Sequence, residues 1–133
     1  IRVLELQPGN AGEPLHALLR PVSIHKPPSY NAISYVWGSS ERSALLHLRQ
    51  GTLAITASAE VVLQHLRRPN HSIVLWLDAV CINQDDTVER GEQVARMADI
   101  YHGAKDVIVW LGAAEPGDHL AFWTVELLAD FYL

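Results

Sequence analysis

Cysteine is almost absent: Cys81 is the single one in 133 residues. That excludes an internal disulfide and fits a reducing compartment, so the cytoplasm is the expected setting. No apolar run approaches the ~18 residues that a membrane-spanning helix needs. No charged leader with an apolar stretch precedes the first strand. Clustered positive charge is missing too. Ten Lys and Arg stand against fifteen Asp and Glu, a net charge of −5, which argues against nucleic acid or an anionic membrane as partner. Gly38, Gly91, Gly103 and Gly112 are isolated, so there is no phosphate-binding glycine loop, and no Gly-x-Ser-x-Gly elbow occurs. The seven histidines are scattered, and none pairs with Cys81 or another histidine at zinc spacing. No metal is expected.

What is present is a domain-sized apolar chain. Hydrophobic residues make up 49% and charged ones 19%, enough to pack a core and too little charge for disorder. The chain opens on Ile1 and stops at Leu133 inside an apolar helical pattern. It is therefore expected to be one domain, 1–133, cut from the N-terminal part of a longer protein, with the C-terminal part of the domain missing.

The central stretch is IVLWLDAVCINQ, residues 73–84. An apolar strand over 73–77 runs into Asp78, Cys81 and a polar turn, and a helix over roughly 88–102 follows. A second strand comes at 107–111. Strand, turn, helix, strand is the pattern of a βαβ unit, and ligands of open parallel sheets bind at the carboxyl ends of strands. A third strand is expected over 30–38, where YNAISYVWG is rich in β-formers and closes on Gly38. Before it, residues 1–9 and 16–24 are expected to form an antiparallel hairpin that covers the sheet or an edge of it. A small hairpin, 44–48 with 53–56, follows Gly38, and Thr56 or Ser58 caps a helix over 59–67. Arg67 and Arg68 offset the dipole at that helix's end. The last helix is expected to turn Leu120, Trp123, Leu127, Leu128 and Phe131 to the core. The whole reads as a mostly parallel α/β sheet flanked by helices, with an N-terminal β-hairpin addition.

Within this frame, Cys81 has acidic neighbours and no nearby histidine, which favours a buried, unreactive thiol over a nucleophile. Asp78 follows the strand directly and could hold a ribose hydroxyl, bind a metal or fasten the turn; fastening is the commoner role. Asn83, Gln84, Asp85 and Asp86 lack the alternation of a calcium loop. Asp86 and Glu89 fit a capping box, the helix is expected to bury Val94, Met97, Ala98 and Tyr101, and Gly103 suits its C′ position. Arg90 is a cation in the first turn, mildly unfavourable there. It is a candidate to pair with Asp78 or to reach a phosphate.

YNAISYVWGSS, LWLDAVCINQDD, ERGEQVARMADIYHGA and VIVWLG occur in that order. Together they closely resemble the fungal heterokaryon incompatibility (HET) domain, with Tyr35, Cys81, Asn83, Gln84 and Glu89 among the signature residues. The resemblance runs through Gly112 and implies a role in fungal non-self recognition that triggers death of fused cells. It also implies a distant similarity to Toll-receptor-type (TIR) domains, hence a flavodoxin-like sheet. Some of those domains cleave the nicotinamide–ribose bond of NAD with a helical glutamate. That implication makes NAD a possible substrate, needing no resident cofactor, and makes Glu126 with Asp78 the catalytic candidates. Trp37, Gly38, Ser39 and Arg90 would bind the ligand. FWTVEL departs from the TIR pattern: the Trp-to-Glu spacing is one residue short, and Thr124 stands where cysteine is expected. The alternative is a signalling module that acts by self-association or through a protein partner, without catalysis.

Overall fold

A computed structural model describes residues 1–36 and 38–110 and the backbone of 122–124. The elements in chain order are β1 (Arg2–Leu6), β2 (Leu15–Pro21), β3 (Asn31–Ser34), β4 (Ala44–Leu48), β5 (Gly51–Ile55), α1 (Ala57–Leu66), β6 (Ile73–Trp76), α2 (Asp78–Cys81), α3 (Thr87–Ala95), α4 (Met97–Gly103), β7 (Asp106–Trp110) and β8 (Phe122–Thr124). The strands form one mixed sheet in the order β5-β4-β2-β1-β6-β3-β7-β8.

The expectation of a mostly parallel sheet is corrected. β6, β3 and β7 are parallel neighbours, in chain order second-first-third. The pairings β1 with β2, β1 with β6, β4 with β5 and β7 with β8 are all antiparallel. The N-terminal hairpin does more than cover an edge: β1 and β2 lie inside the sheet, between β6 and β4. β1 is apolar enough to be buried on both faces, with Val3, Leu4 and Leu6 fully enclosed. β4 then pairs in parallel with β2, Leu15 opposite Leu46.

α1 forms where expected. Thr56 caps it by accepting the Ala59 N–H at 3.2 Å, and Ala59, Val62, Leu63 and Leu66 turn one helical stripe into the core. The core continues through Leu75, Trp76, Ile33 and Ile100, all fully buried. Tyr101 meets Trp76 edge-on at 5.6 Å.

Other expectations are corrected. The strand over 30–38 ends at Ser34: its ladder with β6 stops at Ala32 opposite Trp76, and its ladder with β7 stops at Ser34 opposite Val109. Tyr35 and the 84% exposed Val36 lie beyond the strand. The helix over 88–102 is two helices, broken at Arg96 (φ −100°, ψ 1°), whose N–H donates back to Gln93 and Val94 carbonyls. The break turns α3 outward: it buries none of its residues, and Val94 is 54% exposed rather than core. Gly103 ends α4 without positive φ; a Cβ there would meet the Tyr30 hydroxyl at 3.2 Å. Arg67, at the C-cap of α1, has a further role. It is buried and donates to the carbonyls of Asn10 and Pro14, which ties down the 9–14 loop. Phe122–Thr124 pairs antiparallel with β7 as a strand, not a helix. Leu120, Leu127, Leu128 and Phe131 lie outside the described residues.

Candidate functional site

Because β3 and β6 run parallel, their carboxyl ends open on the same rim. Tyr35 leaves β3 there and Asp78 leaves β6. The one-turn α2 is anchored by Asp78, whose Oδ1 accepts the Ala79 N–H at 2.8 Å. Gln84 closes the turn by donating its amide to the Asp78 carbonyl at 2.9 Å, and Asn83 Oδ1 accepts from the Asp85 N–H. Sequence periodicity has no hold on a four-residue helix, so α2 is a feature that only the fold reveals.

Tyr35 and Cys81 are strongly perturbed groups of the rim. The Tyr35 hydroxyl oxygen is buried and makes no close hydrogen bond among the described residues, although the Thr56 side chain lies near enough to favour its ionised form. Burial first, and then the Asp78 carboxylate nearby, pushes that hydroxyl above the usual tyrosine range. Cys81 is 1% exposed, and burial pushes its thiol up to about 12. A thiol held neutral in this way is not a nucleophile.

Glu89 does not close a capping box. Asp86 does cap α3, accepting from the Val88 and Glu89 N–H groups at 3.1 Å. The Glu89 carboxylate turns instead to the Asn83 N–H at 2.6 Å and to the Arg2 guanidinium at 2.5 Å. Arg2 also donates to the Cys81 carbonyl at 3.2 Å. Three separate segments are thereby tied together: β1, the α2 turn and the start of α3.

Beside this clasp lies a groove of about 440 Å³. Leu19, Leu53, Ala54, Val80 and Ile82 give it an apolar floor, and Arg2, Arg42, Gln50, Asn83, Gln84 and Asp85 give it a polar wall. A smaller cavity of about 180 Å³ shares Arg42, Ala54, Ala79 and Gln84 with it and adds Ser40, Thr56 and Arg90. Arg42 grips Asp85 through two hydrogen bonds, 2.9 and 2.8 Å. That grip holds the Asp85 carboxyl below its ordinary range, and the Arg42 guanidinium above. Arg90 is exposed and has no ion pair among the described residues; it does not bond Asp78.

The sequence-predicted residues therefore divide. Asn83, Gln84 and Arg90 line the two cavities. Tyr35 and Asp78 neighbour each other on the rim. Gly38 turns the chain at φ 66°, with Ser58 Oγ 3.3 Å from where a Cβ would stand. Ser39 Oγ accepts the Glu41 N–H, which shapes the loop that delivers Arg42. Trp37 and Glu126 lie outside the described residues. Arg2, Arg42 and Gln50 were not anticipated as liners. Two signals were available: a lone cation inside the apolar strand RVLEL, and another in the polar loop after Gly38.

The matching family model is that of the heterokaryon incompatibility protein (HET), which covers residues 30–128. The chain belongs to the HET family. A relative, heterokaryon incompatibility protein 6, OR allele, from Neurospora crassa, is 41% identical over 128 residues, which take in 86% of this chain. The chain spans 19% of that relative's length. No solved structure matches this HET domain. The family match begins at Tyr30, so β1 and β2, which supply Arg2 and Leu19 to the groove, precede the matched segment. Among the described residues no group of three or more His, Cys, Asp and Glu could hold a metal ion. No helix among them is long and apolar enough to cross a membrane.

Proposed function

We propose that this HET domain is a death-triggering module of fungal incompatibility, acting in the cytoplasm on a small-molecule ligand at its carboxyl rim. The observation that carries this reading is the groove beside α2 at that rim, next to the point where Asp78 and Tyr35 leave β6 and β3 close to each other without themselves lining it. Ligand sites of open α/β sheets occupy that rim. The second-first-third order of β6, β3 and β7 supports a flavodoxin-like and TIR-like unit inside the mixed sheet.

The finer proposal is cleavage of NAD. The bond between nicotinamide nitrogen and ribose breaks, its electron pair leaves with nicotinamide, and water adds to the ribose carbon and releases one proton to solvent. A carboxylate beside that carbon stabilises the oxocarbenium-like centre as charge develops. Asp78 and Glu126 are the proposed carboxylates, Asp78 because it sits on the rim and Glu126 through the TIR resemblance.

The test is to induce the full-length protein in fungal cells and follow NAD content with viability, for wild type, Asp78→Ala and Glu126→Ala. NAD loss that precedes death and is abolished in either variant is expected. Death with unchanged NAD would falsify the enzymatic reading. It would favour the second one, a module that kills by association with itself or a protein partner. The outward α3, with Val88 72% and Val94 54% exposed, is the observation that favours that alternative.

A further inference from the structure

We infer that the paired cavities beside α2 bind a small organic phosphate with a flat, largely apolar body, its phosphate on Arg90 and Arg42. The inference rests on the groove being the ligand site proposed above, not on NAD being the ligand, and it names the ligand's chemical class.

The charges of the lining lead to it. Among the described residues, three arginines line the two cavities and Asp85 is the single carboxylate that does. Arg2 is neutralised by Glu89 and held to the Cys81 carbonyl, so it serves the clasp. Arg42 spends two of its five N–H donors on Asp85. The remaining donors stay available at the wall the two cavities share. Arg90 has no counter-ion among the described residues and sits in the first turn of α3, where the helix dipole opposes a cation. A cation without an ion pair among the described residues, lining a cavity of about 180 Å³ with Thr56 and Ser40, is suited to an oxyanion. Guanidinium groups fit phosphate geometry through paired donors.

The larger cavity sets the rest of the molecule. Its volume of about 440 Å³ lies in the range of small-ligand sites, ~300–1,000 Å³. Its floor of Leu19, Leu53, Ala54, Val80 and Ile82 disfavours a polyhydroxylated body, whose hydroxyls would lose water without gaining partners. At the edge, the Asn83 amide nitrogen and the Gln84 carbonyl oxygen are not used by the turn-closing bonds among the described residues. They offer N–H donors and an acceptor to the rim of a planar group.

The test is calorimetric titration of the whole chain with inorganic phosphate, phenyl phosphate, AMP and glucose 6-phosphate. Phenyl phosphate and AMP are expected to bind at least about tenfold more tightly than inorganic phosphate or glucose 6-phosphate. AMP binding above phenyl phosphate identifies a nucleobase as the flat body; equal binding leaves the phosphate-and-apolar-body assignment standing. Arg90→Ala is expected to weaken both by about tenfold, the loss of one charge-assisted contact. Asp85→Asn, which removes the negative charge facing the same space, is expected to tighten both. Affinities equal in wild type and Arg90→Ala, or glucose 6-phosphate binding as well as phenyl phosphate, overturn the inference. Absence of all binding overturns it too, whether or not cells die. If Arg90→Ala abolishes binding while death proceeds undiminished, the ligand class stands and the death-triggering use of the groove fails.

Discussion

Arg2 on β1 and Glu89 on α3 meet at 2.5 Å, bringing together residues 87 positions apart. The same carboxylate oxygen takes the Asn83 N–H at 2.6 Å, so one side chain holds the start of α3 against both the sheet and the α2 turn. α3 buries none of its own residues, and this clasp replaces the apolar contact it lacks. Glu89→Ala is expected to cost about 1 kcal/mol by urea denaturation, since both side chains keep partial contact with solvent. The pH dependence follows from Arg2, whose hydrogen bond lowers the Glu89 pKa below its ordinary 4.5. A depressed carboxylate stabilises the fold above that ordinary value and loses its contribution as pH falls through the folded-state value. Glu89→Gln should therefore show a flatter stability profile than wild type below about pH 4.5.

Cys81 gives a chemical test of the rim. With its thiol pushed up to about 12 by burial, Cys81 is held almost wholly as the unreactive thiol at pH 8. A thiol-specific reagent should label the native protein very slowly and the urea-unfolded protein at the rate of a free cysteine. Rapid native labelling would mean that α2 opens readily, and would reinstate Cys81 as a candidate nucleophile.

Tyr30 and Gly103 are coupled, and the sign of the coupling can be measured. The buried Tyr30 hydroxyl donates to the Ile100 carbonyl at 2.5 Å, and a Cβ on Gly103 would stand 3.2 Å from it. A ring 2% exposed and anchored by that bond has nowhere to yield. Tyr30→Phe should cost about 1–2 kcal/mol by leaving the carbonyl unsatisfied. Gly103→Ala should destabilise wild type. In the Tyr30→Phe background it should instead be neutral or stabilising, because the clash is gone and alanine is the better helix residue by up to ~1 kcal/mol. Additive effects in the double-mutant cycle would contradict this packing account.

These couplings also mark how far the sequence alone could be read. Long apolar strands and the α1 stripe carry periodic signals, so β1, β4, β6, β7 and α1 were legible to within a few residues, as was the Asp86 cap. α2 was not, because four residues hold no period. Nor was the break at Arg96: GEQVARMAD reads as continuous helix, and only the backbone bonds at Gln93 and Val94 reveal the turn. Sheet order was hidden for another reason. Nothing local to RVLEL states that it lies between β2 and β6, and this non-local pairing is what brings Arg2 to Glu89. Asp78, Asn83, Gln84 and Arg90 stood out as polar residues at a strand end. Their companions Arg2, Arg42 and Gln50 come from distant segments, and no spacing rule joins them.

Gly38 links the backbone to the inferred ligand. Its φ of 66° lies in the left-handed region, and a Cβ there would approach Ser58 Oγ at 3.3 Å. A non-glycine residue pays ~1–2 kcal/mol in that conformation. The strain falls on the loop that carries Ser40 and Arg42 to the two cavities. Gly38→Ala should therefore lower stability by about 1 kcal/mol in urea denaturation. It should also weaken phenyl phosphate binding, because relaxing the turn moves Arg42 away from the shared wall. Gly38→Asn, with a side chain that tolerates the left-handed region, should recover part of both losses. Full retention of binding by Gly38→Ala, despite reduced stability, would separate the loop's conformation from the position of Arg42 and leave Arg90 as the main phosphate contact.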